Sequence, residues 1–305
     1  MPLHRDPALH RVSFGVYAAR DEWEALEPWD RYLARVHAVR LIRPDAVFCF
    51  ESAAALRGYP VFGEPKQVHI ISSPGTTGHS HSFSGVAAHQ LAQSRAIETF
   101  AGVSAVCAAD TLIDLARLLP PAFGLAVADA AMQTAAPDVT AAAVFERAVA
   151  QGWSRGLRRL QWILAFTDAA AESPGESVSR AVIHWLGYPI PVLQKQYHVE
   201  GFHDRVDFYW PEWDVIGESD GYGKYDDADP EKVKANLIAE KVREDRLRRH
   251  SHGFARWDFG DAMNFDRLDE KLRNGDLRPV RQRDVRMLAT LARNPRSFSS
   301  VDAAA

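Results

Sequence analysis

The chain has 305 residues, enough for two domains of ordinary size, and its 47% hydrophobic and 25% charged residues have the balance of a soluble globular protein. A formal net charge of −4 excludes a molecule that attracts polyanions as a whole. Apolar runs are short and broken by charge, "MPLHRDPALHRVSFG" lacks the apolar core of a secretion signal, and Cys49 and Cys107 make no disulfide framework, so a cytoplasmic protein with no membrane span is expected.

In "DEWEALEPWDRYLARVHAVRLI" the apolar residues Trp29, Tyr32, Leu33, Val36 and Val39 recur at the spacing of one helix face. A second helix is expected at "ESAAALRG", with Ser52 as its cap and Gly58 as its stop before Pro60. Strands are expected at "QVHIISS" and "GVAAHQL", bounded by Pro, Gly and Ser turns. "DTLIDLARLL" starts a helix capped by Asp110 and ended by Pro120, and further helical segments cover roughly 121–135, 139–151 and 155–167. Residues 1–168 therefore form a helix-rich α+β domain in this reading.

The domain boundary is placed in "DAAAESPGES", residues 168–177. Beyond it come a helix, "SPGESVSRAVIHWLG", and strand patterns at "KQYHV", "RVDFYW" and "DVIGES". A long charged helix follows over roughly 231–250, then a strand "FARWDF" and a closing helix "DRLDEKLR". Helix, three strands, helix, strand is an α/β order that closes one domain over 172–275. Residues 276–305 are expected to be a basic helix and a frayed tail. Between Arg278 and Arg296 six arginines stand against one acid, Asp284. That run is either a solvated helix face or a phosphate-facing surface, with Arg281, Arg283 and Arg286 as candidate DNA contacts.

The stretch "RVDFYWPEWDVIGESDG" reads as a half-buried hairpin turning at "PEWD", yet it carries Asp207, Glu218 and Asp220. Strand alternation puts Asp207 and Tyr209 on one face and Val206, Phe208 and Trp210 on the other. Depending on register, Asp207 falls opposite position 217 or Glu218, so the two carboxylates are neighbours if a bulge aligns their faces. Neighbouring like charges repel, and a hard divalent cation such as Mg²⁺ offsets that cost directly. The other reading is a hairpin edge whose charges face water. Glu176 fits a capping box with Ser173 as N-cap and Pro174 at the first helical position.

The order of a helix-borne Glu176, "RVDF", a strand with "E-x-D-G", a charged helix and "FARWDF" resembles the nuclease-like domain related to very-short-patch-repair endonucleases. That group lies within the restriction-endonuclease-like PD-(D/E)xK superfamily, and the likeness covers about 172–275. It implies Asp207 and Glu218 as the metal-binding pair, Glu176 as an assistant, Mg²⁺ or Mn²⁺ as the cofactor and DNA as the substrate. The superfamily places a lysine two residues after the strand acid; here Asp220 stands there, able to ligate a metal but not to supply positive charge. Lys224 and Lys241 are the candidate replacements, and Lys241 also has the spacing for an ordinary ion pair with Asp245.

"RVSFGVYAA", "FESAAALRGYPVFGEPKQVHI" and "GVSAVCAADTLIDLARLLP" resemble the AbiEi-type antitoxins, often described as transcriptional regulators. In that family a winged helix-turn-helix precedes the equivalent of "GVY"; here too few residues precede it for two helices. The resemblance implies a cognate toxin as partner. His79 and His81, with His69 and His89 nearby, read as a polar loop, because no cysteine or acid joins them at finger-like spacing. The expected function is Mg²⁺-dependent DNA phosphodiester hydrolysis, or DNA binding through a decayed form of that site. The rival is a toxin–antitoxin regulator that uses the nuclease fold as a scaffold.

Overall fold

The computed structural model describes residues 3–72, 81–83, 85–90, 95–100, 102–134, 139–221, 230–292 and 294–298. It divides into two compact units: Met1–Leu119, Thr134–Ala165 and Asn294–Ala305 form the first, and Pro120–Gln133 with Phe166–Arg293 the second. Both mix helices with β-sheet, so the α/β and α+β classes hold.

The first unit opens with a hairpin, β1 (Leu9–Ser13) and β2 (Val16–Ala19), that turns at Gly15 with φ 75°. Pro28 divides the expected first helix into α1 (Arg20–Ala25) and α2 (Pro28–Ile42), because proline is tolerated in a first turn and not in an interior. After β3 (Val47–Phe48), helix α3 (Phe50–Leu56) starts from Cys49 rather than Ser52. Ser52 lies inside that helix, where its hydroxyl meets Tyr32 Oη and accepts the His69 backbone N–H, each at 2.8 Å. Gly58, at φ 71°, follows the helix end.

Strands β4 (Val68–Ile71), β5 (His81–Phe83), β6 (Val86–His89), β7 (Ile97–Phe100) and β8 (Val103–Val106) join β3 in a six-stranded mixed sheet of order β5-β6-β4-β3-β8-β7. Tyr32, Val36 and Val39 of α2 pack with Phe48, Val68, Ile70, Val86 and Val103 of this sheet. Helix α4 (Ala108–Leu118) begins at Cys107, not at the expected cap Asp110. Buried Asp110 instead accepts from Arg147 Nε and Nη2, both at 2.6 Å, and from Gln151 Nε2 at 2.8 Å. Helix α5 (Pro121–Gln133) belongs to the second unit; α6 (Ala141–Ala150) and α7 (Leu157–Phe166) follow it in the chain.

In the second unit, helix α8 (Pro174–Trp185) starts under Ser173, whose Oγ accepts the Glu176 N–H at 3.1 Å. Strands β9 (Val192–Val199), β10 (Phe202–Trp210) and β11 (Val215–Asp220) are antiparallel, helix α9 (Pro230–Arg249) crosses over, and β12 (Gly253–Asp258) returns parallel to β11. The sheet order is β12-β11-β10-β9. One face meets α8, with Trp257 Nε1 donating to Ser179 Oγ at 2.8 Å; the other meets α9 through Val206, Ile216, Phe254 and Leu247. Short α10 (Phe259–Met263), α11 (Phe265–Asn274) and α12 (Val285–Leu288) complete it, and of the expected basic C-terminal helix the structure has one α-helical turn, α12, continued by a 3-10 turn at Ala289–Ala292. Among the described residues no helix is long and apolar enough to cross a membrane.

Candidate functional site

The hairpin register decides where the carboxylates meet. Trp210 pairs with Val215, Tyr209 with Ile216 and Phe208 with Gly217, which brings Asp207 level with Glu218. Strict alternation fails at Asp207. Val206 joins the α9-side cluster, whereas Phe208 stacks with Trp210 and packs at a tilt against Trp257 on the α8 side. Val206 and Phe208 therefore lie on opposite faces, correcting the expectation from sequence. The β9–β10 register skips the same point, opposite Gln194, which is held at φ 53°. An irregular residue in one strand re-aims the side chains around it, as bulges do. Asp207 Oδ2 then accepts the Ser219 backbone N–H at 2.9 Å, beside Glu218.

Glu218 is 5% exposed, and burial followed by the neighbouring Asp207 charge pushes its carboxyl above the usual range against the pull of Arg243. Both of its oxygens are taken by that one guanidinium: Arg243 Nη2 lies 2.6 Å from Oε1 and Nη1 lies 3.1 Å from Oε2. Arg243 also donates to the Arg205 carbonyl at 2.6 Å, which fixes the fork from a third side. Asp220 is engaged in the same way by Arg256, at 2.8 Å and 2.7 Å. Arg256 sits on β12 directly beside Glu218 in the parallel register and reaches Glu240 and Glu244 of α9 as well. The hydrogen bond to Asp220 holds its guanidinium well above the usual arginine range. A third fork, Arg246 on Asp204 at 2.8 Å twice, is buried on the same face.

Glu176 stands apart from this network. Its Oε2 accepts from the Glu172 N–H and from Gln194 Nε2, both at 2.9 Å, and burial raises its carboxyl above the usual range. The reciprocal half of the cap thus reaches the residue before Ser173, not Ser173 itself. Lys241 pairs with Asp245 at 3.0 Å and is exposed. Lys224 lies outside the described residues. Of the three candidate phosphate contacts, Arg281 donates to the Tyr188 carbonyl at 3.1 Å and Arg283 pairs with Asp266 and Asp269 at 3.3 and 3.2 Å. Arg286 is exposed on α12.

A divalent cation needs carboxylate lone pairs that converge on one point. Those of Glu218 and Asp220 point instead at two separate guanidinium forks, so as arranged the set does not fit a cation. Among the described residues no group of three or more His, Cys, Asp or Glu is placed to hold a metal ion. Arg243 and Arg256 are the functional candidates that sequence reasoning missed. Their signal was there: a lone arginine inside the apolar strand "FARWDF", and an arginine three residues after Glu240 on a charged helix.

The chain is 31% identical over 242 residues to two Mycobacterium tuberculosis proteins, MT2308 and Rv2248, each from a different strain and each named only as an uncharacterized protein; the match covers 78% of this chain and 81% of theirs. The chain belongs to the family of these two proteins. No family model matches it, and no solved structure matches it significantly.

Proposed function

We propose that the second unit is a restriction-endonuclease-like domain that binds DNA, with an acidic centre neutralised by arginines instead of a metal. The element order supports this: α8, three antiparallel strands, the crossover α9 and parallel β12. The observation that carries the reading is that both oxygens of Glu218 and of Asp220 are held by Arg243 and Arg256. Where the sequence pattern puts a lysine, the chain has Asp220, and the positive charge comes from the neighbouring strand. Bidentate guanidinium–carboxylate pairs are strong and oriented, and they leave the centre without water-activating chemistry of its own. Two exposed cations of this unit, Lys241 on α9 and Arg286 on α12, would then meet the phosphate backbone.

The test is a titration of a labelled DNA duplex, read by anisotropy in EDTA and again in Mg²⁺, with supercoiled plasmid incubated in parallel. Binding of equal strength in both, with intact plasmid, is the expected result. Plasmid cleavage in Mg²⁺ that disappears in Asp207→Ala would establish the metal-dependent nuclease instead. Absence of DNA binding in either buffer would leave the toxin–antitoxin reading, which rests on the resemblance of the first unit alone.

A further inference from the structure

A buried polar pocket in the first unit lies outside the site above. Glu51, 4% exposed, forms a two-pronged ion pair with Arg296, Nε on Oε1 and Nη2 on Oε2. The same Nη2 lies 3.2 Å from His69 Nε2, and His69 Nδ1 lies 2.8 Å from His89 Nε2. Because a guanidinium only donates, His69 Nε2 accepts, its proton sits on Nδ1, and His89 Nε2 accepts that proton in turn. The Arg296 guanidinium also lies over the Phe50 ring, 5.5 Å from its centroid. Phe50 itself is held at φ 50°, a region that a bulky residue adopts only when its surroundings impose it. The fork, the aromatic face and the neutral histidines all match one guanidinium. His69 and His89 stand on β4 and β6, within the two segments expected to be strands, and form the pocket wall.

Arg296 reaches this pocket from a turn, residues 294–297, closed by the Ser297 N–H donating to the Asn294 carbonyl at 3.3 Å. The Arg296 carbonyl accepts the Lys66 N–H at 2.9 Å, the Phe298 N–H donates to the Glu64 carbonyl at 2.9 Å, and Ser297 makes an antiparallel bridge to Pro65. Asn294 Nδ2 and Ser297 Oγ donate to the Phe62 carbonyl at 3.1 and 2.6 Å. Main-chain hydrogen bonds to a short segment, with one of its side chains in a specific pocket, are how peptide-binding modules read their ligands.

We propose that the pocket of Glu51, His69, His89 and Phe50 is a recognition site for an arginine carried on a turn-forming peptide, and that residues 294–298 are an exchangeable segment filling it in cis. The pocket carries one buried carboxylate and two neutral imidazoles, so it requires a single cation; Phe62 to Lys66 supply the backbone rail. A tethered segment competes at an effective concentration on the order of millimolar, so a peptide in solution meets a largely filled site in the wild type.

The test uses the full chain and a fluorescein-labelled peptide Asn-Pro-Arg-Ser-Phe, read by anisotropy. Arg296→Ala should bind the peptide at least about tenfold more tightly than the wild type does, since its own segment no longer competes. If Arg296→Ala does not fold, Arg296→Lys takes its place, because lysine keeps the charge beside Glu51 without the planar fork. The same peptide with alanine in place of its arginine should bind neither protein, and adding Glu51→Gln to the variant should weaken binding at least about tenfold, the loss expected for an unpaired guanidinium. Equal binding of the arginine and alanine peptides overturns the pocket. No gain of the variant over the wild type overturns its filling in cis.

Discussion

Arg243 and Glu218 show what a single pair contributes once it is out of water. Removing one partner of a buried pair leaves a charge that burial alone opposes. Arg243 is about a quarter exposed, with side-chain accessibility of 24%, so Arg243→Ala is expected to cost about 1–3 kcal/mol at pH 7 rather than the full value for a sealed pair. Glu218 titrates above its ordinary range, so the stability linked to its proton is present below the unfolded pKa and lost as pH rises through the folded one. The deficit of Arg243→Ala should therefore shrink in acid, and urea melts across pH 4–7 check this. Replacing both residues by Gln and Met should be close to neutral, because no unpaired charge remains.

His69 carries the opposite sign. Burial first, and Arg296 with His89 besides, outweigh the pull of Glu51 and lower its pKa from 6.5 to about 4. Its linked stability is whole above pH 6.5 and lost as pH falls from there to about 4, because the unfolded imidazole takes up the proton first. His69→Gln should flatten the acid limb of the stability curve by an amount on the order of 3 kcal/mol across that window.

At the scale of an element, β11 is fixed by the two tryptophans it passes between. A Cβ at Gly217 would lie 2.7 Å from the Trp257 ring and 2.9 Å from the Trp210 ring, on fully buried side chains that have little room to yield. Gly217→Ala is expected to lower stability by about 1–3 kcal/mol, the usual cost of overpacking, measurable as a lower Tm. Much of this unit was legible in the sequence. The strands, the crossover helix, the Ser173 cap and the nearness of Asp207 to Glu218 follow from alternation, turn residues and helical spacing. The break at Asp207 was not legible, because it depends on Gln194 of β9 adopting a positive φ that nothing in "LQKQY" announces. Nor were the arginine forks: Arg243 and Arg256 lie 25 and 38 residues from Glu218 in Cα-paired or crossover positions that only the assembled sheet brings together. In the first unit the two-residue β3 and the exposed β7 are too short or too polar to show a period. Ser52 and Asp110 looked like caps because capping residues also serve as buried hydrogen-bond partners.

Taken as a whole, the molecule is mildly acidic, and much of its positive charge is spent internally on Arg–carboxylate forks. Of the three arginines singled out from the sequence, Arg281 and Arg283 have local partners, so Arg286 is the one expected to face phosphate. Arg286→Ala should reduce the slope of log affinity against log salt by about 1, whereas Arg283→Ala should act mainly on stability. Both effects are read from duplex titrations at several salt concentrations.

The claim that arginines occupy the place of a metal is tested most directly by following Tm during a Mg²⁺ titration of the wild type. A ligand that binds only the folded form must raise Tm as its concentration passes the dissociation constant. With Glu218 and Asp220 held by Arg243 and Arg256, no such rise is expected through the millimolar range. A Mg²⁺-dependent rise that is lost in Asp207→Ala would contradict the account and restore the metal centre.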